Sequence, residues 1–160
     1  MDDRDYMEQA LALAREAAQE GEVPVGCVIV QGDEIVGRGR NRREHTKSAL
    51  SHAEIEAIAQ ANQRLGGWRL WQCTMYVTLE PCCHHGKQPP CTEALVESGI
   101  RRVYIGSRDF NPLVFGKGVQ YLEEHGIEVI PDFLREACDK LNPIFFRYIG
   151  TKMPYTILKY

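Results

Sequence analysis

The sequence predicts an α/β fold, one mixed sheet of about five strands covered by helices. Three observations carry that prediction. Residues 25–30 and 34–40 form two short runs joined by Gln31-Gly32-Asp33, the pattern of a hairpin. In the second half strand patterns alternate with helix patterns, which argues for parallel pairs with right-handed crossovers beside that hairpin. The 160 residues show no repeat, linker or low-complexity segment and fit a single domain, 1–160, with a core that needs no staples.

Tyr6, Met7, Ala10, Leu11, Ala14, Ala17 and Ala18 recur at three- and four-residue steps and mark an amphipathic first helix, with Gly21 where it stops. After the hairpin, residues 41–50 are polar and basic; with Arg40, Arg42, Arg43 and Lys47 nearby, they read as a loop. A second helix begins near His52, carries Ile55, Ile58, Ala59 and Leu65, and closes at Gly66-Gly67. Residues 74–79 are β-branched and aromatic, a buried strand aimed at Pro81-Cys82. Residues 91–98 can form a helix ended by Gly99, 102–105 a strand, 117–125 a helix ended by Gly126, and 127–130 another strand. Asp132 then stands as the cap of a last long helical stretch that reaches about Tyr148 and is disturbed at Pro143.

Composition narrows the function. A formal net charge of -3 gives no global basic field, so contact with nucleic acid would need a local patch. Met1-Asp2-Asp3-Arg4-Asp5 is not the basic start of a signal peptide, and no apolar run approaches the roughly 18 residues of a membrane span. Cys27, Cys73, Cys82, Cys83, Cys91 and Cys138 are unevenly spaced, which favours thiols and metal ligands over a disulfide framework. These features together lead to the expectation of a cytoplasmic protein without membrane contact.

The chemistry concentrates between Ser51 and Cys91. His52, Cys82 and Cys91 supply one imidazole and two thiols, and Glu54 a carboxylate. A zinc hydrolytic site needs that set: three protein ligands, a fourth place for water and a nearby group to move protons. Cys91 follows Pro89-Pro90 and Cys82 follows Pro81, positions that suit a helix entry, where free N–H groups and a partial positive charge favour thiolates. His52 and Glu54 lie about 200° apart on a regular helix but share its first turn, so Glu54 can approach a metal-held water without ligating the metal. Competing readings stay open. Ser51-x-x-Glu54 is also a capping box, Cys82 and Cys91 can be ordinary buried cysteines, and Cys82 with His85 has a chelate spacing in which Cys83 or His84 could compete. A structural zinc module closed by His84 or His85 is a further alternative.

His52-Ala53-Glu54 followed by Thr78-Leu79-Glu80-Pro81-Cys82 resembles the cytidine deaminase superfamily. The resemblance implies a three-layer α/β/α cytidine-deaminase-like fold, one zinc per subunit on His52, Cys82 and a second cysteine, and Glu54 carrying a proton from water to the leaving amine. The usual two-residue gap between the cysteines is absent here, since eight residues separate Cys82 from Cys91. Glu80-Pro81-Cys82-x-His84-His85-Gly86-Lys87-x-Pro89-Pro90-Cys91 is similar to the deaminase domain of the riboflavin-biosynthesis deaminase-reductase. So are Asp109-Phe110-Asn111-Pro112-Leu113-Val114-x-Gly116-x-Gly118 and the ending Gly150-x-x-x-Pro154-Tyr155-x-x-Leu158-Lys159. That family deaminates a phosphoribosylamino-pyrimidine, which implies that Lys87, Asp109 and Asn111 contact ribose, phosphate or base.

The first half resembles bacterial tRNA adenosine deaminases, through Glu22-Val23-Pro24-Val25-Gly26, Gly39-x-Asn41-Arg42 and Leu65-Gly66-Gly67-Trp68-Arg69-Leu70, and Phe145-Phe146-Arg147 is similar to that family's last helix. Glu22 stands where the riboflavin enzymes carry Asn, and Asn41 where they often carry His. The mosaic changes over near Cys82. Two substrates follow: a small phosphoribosylamino-pyrimidine or related nucleotide, and the wobble adenosine of tRNA. The first is preferred, because the long metal loop occupies space near the site mouth and the C-terminal tail lacks the strongly basic end of an RNA-docking helix. Both resembled families imply a homodimer.

Overall fold

The computed structural model describes residues 1–42, 52–67, 69–81, 91–108 and 116–141. Its strands are β1 (Gly26–Gln31), β2 (Glu34–Arg40), β3 (Cys73–Leu79), β4 (Arg102–Ser107) and β5 (Glu128–Ile130). Its helices are α1 (Asp3–Gln19), α2 (Ala53–Leu65), α3 (Cys91–Ser98), α4 (Lys117–Glu124) and α5 (Arg135–Asp139). The strands form one sheet in the order β2-β1-β3-β4-β5; β1 runs antiparallel to both neighbours, while β3, β4 and β5 are parallel. This is the expected mixed sheet with a hairpin at one edge. No helix among the described residues is long and apolar enough to cross a membrane.

The two-residue period of the strands sorts their side chains into two cores. Cys27 and Ile29, Met75 and Val77, and Val103 and Ile105 join Ala53, Ala57, Cys91, Leu95 and Leu122 of the helices on one face. Val28 and Val30, Tyr76 and Tyr104 join Tyr6, Met7, Ala10 and Leu11 of α1 on the other, with Cys138 of α5. Helices thus cover both faces, giving three layers. Within the second core Tyr76 and Tyr104 stack with ring centroids 4.7 Å apart. Both hydroxyls donate to Asp3, at 2.5 and 3.0 Å, so the polar ends of the aromatic pair are satisfied by the first turn of α1.

Small residues set where α2 lies. A side chain at Gly39 would collide with the Ala53 carbonyl, so glycine there lets the start of α2 rest directly on β2. Strand register then fixes what else shares that end of the sheet. Gly26 pairs with Arg40, Cys27 with Val77 and Leu79 with Ser107, which brings the start of β1 and the ends of β2, β3 and β4 together.

The expected long helix from Asp132 is corrected. Its described part is only α5, and Asp132 and Leu134 adopt left-handed backbone, φ 61° and 52°. The Asp132 carboxylate accepts from Arg108 and Arg135, at 3.3 and 3.1 Å, and caps nothing. The Phe133 amide donates to the Ile105 carbonyl at 2.9 Å, holding the segment as a turn against β4. Residues 142–160, with Pro143 and the remaining motif positions, lie outside the described residues.

Burial also has a consequence for pH. It pushes the Cys73 thiol up and the Cys138 thiol from 9.0 to about 12. These thiols stay protonated when folded, so their contribution to stability is complete below their unfolded pKa and lost as pH rises toward the folded value. The thermal midpoint should therefore fall between pH 9.0 and about 12. A smaller fall in Cys138→Ala than in the parent would identify the thiol responsible.

Candidate metal centre

His52 is the N-cap of α2, in extended backbone, and its side chain makes no capping hydrogen bond. Its ring instead turns to the thiol at the head of another helix: Nδ1 lies 3.2 Å from Cys91 Sγ, across 39 positions of sequence. Cys91 opens α3 and is fully buried. Two donors sharing a tetrahedral zinc, about 2.0 Å from nitrogen and about 2.3 Å from sulfur, stand roughly 3.5 Å apart. The pair therefore fits one ion after a shift of a few tenths of an ångström. Because α2 and α3 both begin here, two partial positive helix ends favour a thiolate and an anionic transition state.

Glu54 occupies the first turn of α2 and is 5% exposed. Burial pushes the Cys27 thiol well above its ordinary value, and the nearby Glu54 charge pushes it further, so Cys27 lies beside Glu54 as a neutral thiol. The helix starts at Ala53 with His52 as cap, one residue past the position that a Ser51 capping box requires; Ser51 itself lies outside the described residues. Asn41 and Glu22 are both buried at the same end of the sheet, and the backbone N–H of Asn41 donates to the Val25 carbonyl at 3.1 Å beside the start of β1.

Pro81 is buried at the exit of β3, directly before Cys82. Cys82, Cys83, His84, His85, Lys87, Asp109 and Asn111 lie outside the described residues. Among the described residues no group of three or more His, Cys, Asp or Glu is placed to hold a metal ion, so a third donor would come from beyond them.

Two features escaped the sequence reading. Arg40, part of the basic patch, is held by Glu20 through two hydrogen bonds of 2.9 Å, with Glu16 at 3.6 Å, and Arg42 lies 3.6 Å from Glu56. Acidic partners thus answer both arginines. The second is Glu80, 3% exposed, whose carboxylate accepts from the amides of Gly116 and Gly118 at 3.1 Å and Val119 at 3.3 Å. The available signal was an acidic residue leaving a buried strand and a Gly-x-Gly start to a later helix.

The model of the cytidine and deoxycytidylate deaminase zinc-binding region matches residues 1–107, two thirds of the chain. The chain belongs to this deaminase family. Within the family it is 49% identical over its whole length to the riboflavin biosynthesis protein RibD of Actinobacillus pleuropneumoniae, of which it spans only 41%. It is 43% identical, over 96% of its length, to all of the diaminohydroxyphosphoribosylamino-pyrimidine deaminase of Buchnera aphidicola from Schizaphis graminum. Among solved deaminases, the deaminase/reductase of Thermotoga maritima matches with a TM-score of 0.81 at 41% identity, covering 94% of this chain and 42% of that one. A tRNA:A34 deaminase matches with a TM-score of 0.76 at 32% identity, covering 86% of this chain and 99% of that one. The three-layer deaminase fold is thereby shown, and the likeness to the riboflavin proteins extends through both halves of the chain.

Proposed function

We propose that residues 1–160 form a single zinc-dependent deaminase domain acting on a phosphoribosylamino-pyrimidine. The observation that carries the proposal is the 3.2 Å approach of His52 to Cys91 at two helix starts, beside the buried Glu54. His52, Cys91 and Cys82 would hold one zinc per subunit. When bound, zinc supplies a Lewis acid that makes water nucleophilic at neutral pH. Glu54 accepts the proton lost by the attacking water and delivers it to the exocyclic amine; the ring carbon gains oxygen as its C–N bond breaks and ammonia leaves. Its burial keeps that proton away from bulk solvent.

Lys87, Asp109, Asn111, Asn41 and Glu22 are proposed to contact the substrate, the first three at its ribose, phosphate or base. The whole-length likeness to the Buchnera pyrimidine deaminase supports this substrate over tRNA. So does the neutralisation of Arg40 and Arg42, because an RNA-docking patch needs cations free to replace counterions. The resemblance adds the expectation of a cytoplasmic homodimer.

Incubating the zinc-loaded protein with diaminohydroxyphosphoribosylamino-pyrimidine should release ammonia stoichiometrically with the product. Inertness toward that compound together with conversion of an anticodon stem-loop would overturn the substrate assignment in favour of tRNA.

A further inference from the structure

We infer that Glu80 is a positioning residue that fixes the substrate loop relative to the metal centre. The inference rests on the deaminase reading above but uses only contacts among described residues. Residues 109–115 connect β4 to α4 and include Asp109 and Asn111. Glu80 grips the chain on both sides of that connection. Its backbone amide donates to the carbonyl of Ser107 at 2.8 Å, just before it. Its carboxylate accepts from Gly116 through one oxygen at 3.1 Å, and from Gly118 and Val119 through the other at 3.1 and 3.3 Å, just after it.

The same residue stands two positions before Cys82, so one buried residue is tied to both flanks of residues 109–115, by its backbone amide to Ser107 and by its carboxylate to Gly116, Gly118 and Val119. The fit is close: a side chain at Gly118 would meet the Pro81 carbonyl at 2.5 Å and the Glu80 carboxylate at 3.2 Å. A carboxylate suits this place because it meets N–H groups with both oxygens and complements the positive end of α4. It also occupies that helix start, which leaves phosphate recognition to other groups.

Glutamine preserves the shape but has only one acceptor oxygen, and its NH2 would face an amide N–H. In Glu80→Gln the KM for diaminohydroxyphosphoribosylamino-pyrimidine should rise about tenfold, while kcat stays within about threefold and zinc content is unchanged. Glu80→Ala should move further in the same direction. Amide hydrogen exchange reads the clasp without substrate: Gly116, Gly118 and Val119 should lose protection in Glu80→Gln. Unchanged protection at those amides would overturn the inference whatever the substrate is. So would a folded, zinc-replete Glu80→Gln variant with parental KM, or one losing kcat alone. Failure of the parent protein to deaminate the pyrimidine would instead count against the substrate assignment, with the exchange result still deciding the role of Glu80.

Discussion

Glu54→Gln is expected to lose turnover by roughly 10²–10⁴-fold while retaining its zinc. The substitution is nearly isosteric, so the buried position, 5% exposed, can keep its packing. What changes is basicity: an amide cannot take a proton from water at neutral pH or return one to the amine. A structural zinc module, the blander reading of the same residues, would have no turnover to lose. Ammonia release with metal analysis on the same sample separates the two. Full activity in a zinc-replete Glu54→Gln protein would remove Glu54 from the mechanism, whatever the metal does.

The second large effect is expected at the ligands. Cys91→Ala and His52→Ala should each release zinc and reduce deamination to background, because three protein donors leave little affinity to spare when one is lost. Neither substitution needs to unfold the chain. Cys91 sits in an apolar core that accepts a smaller side chain at a modest cost, and the His52 side chain contributes no cap hydrogen bond to α2. Cys138→Ala is the matching control. It removes an equally buried thiol on the opposite face of the sheet, against α1, and should keep both metal and activity. Equal zinc content in Cys91→Ala and Cys138→Ala would mean that the contact between His52 and Cys91 is only a packing contact.

Much of this arrangement is legible in the sequence because it is local. The short apolar run of β1, the β-branched and aromatic run of β3, the Ala-rich face of α1 and the glycines that close α2 and α3 are properties of neighbouring residues. The positions of His52 and Cys91 follow from cues at helix starts, a short cap region in one case and Pro89-Pro90 in the other. What is not legible depends on partners distant in the chain. Glu80 reads locally as an ordinary acidic residue, and its role comes from amides 36 to 39 positions away. Arg40 belongs to a basic run by composition, yet Glu20, 20 residues earlier, cancels it. Asp132 has the chemistry of a cap, but Arg108 and Arg135 claim its carboxylate and the backbone turns left-handed instead.

Zinc K-edge absorption spectroscopy on the zinc-loaded protein asks most directly whether His52, Cys91 and Cys82 converge on one ion. The expected result is one zinc per chain with two sulfurs at about 2.3 Å and nitrogen or oxygen completing a four-coordinate shell. A chain that emerges free of zinc from zinc-supplemented medium, or a shell with fewer than two sulfurs, would contradict it.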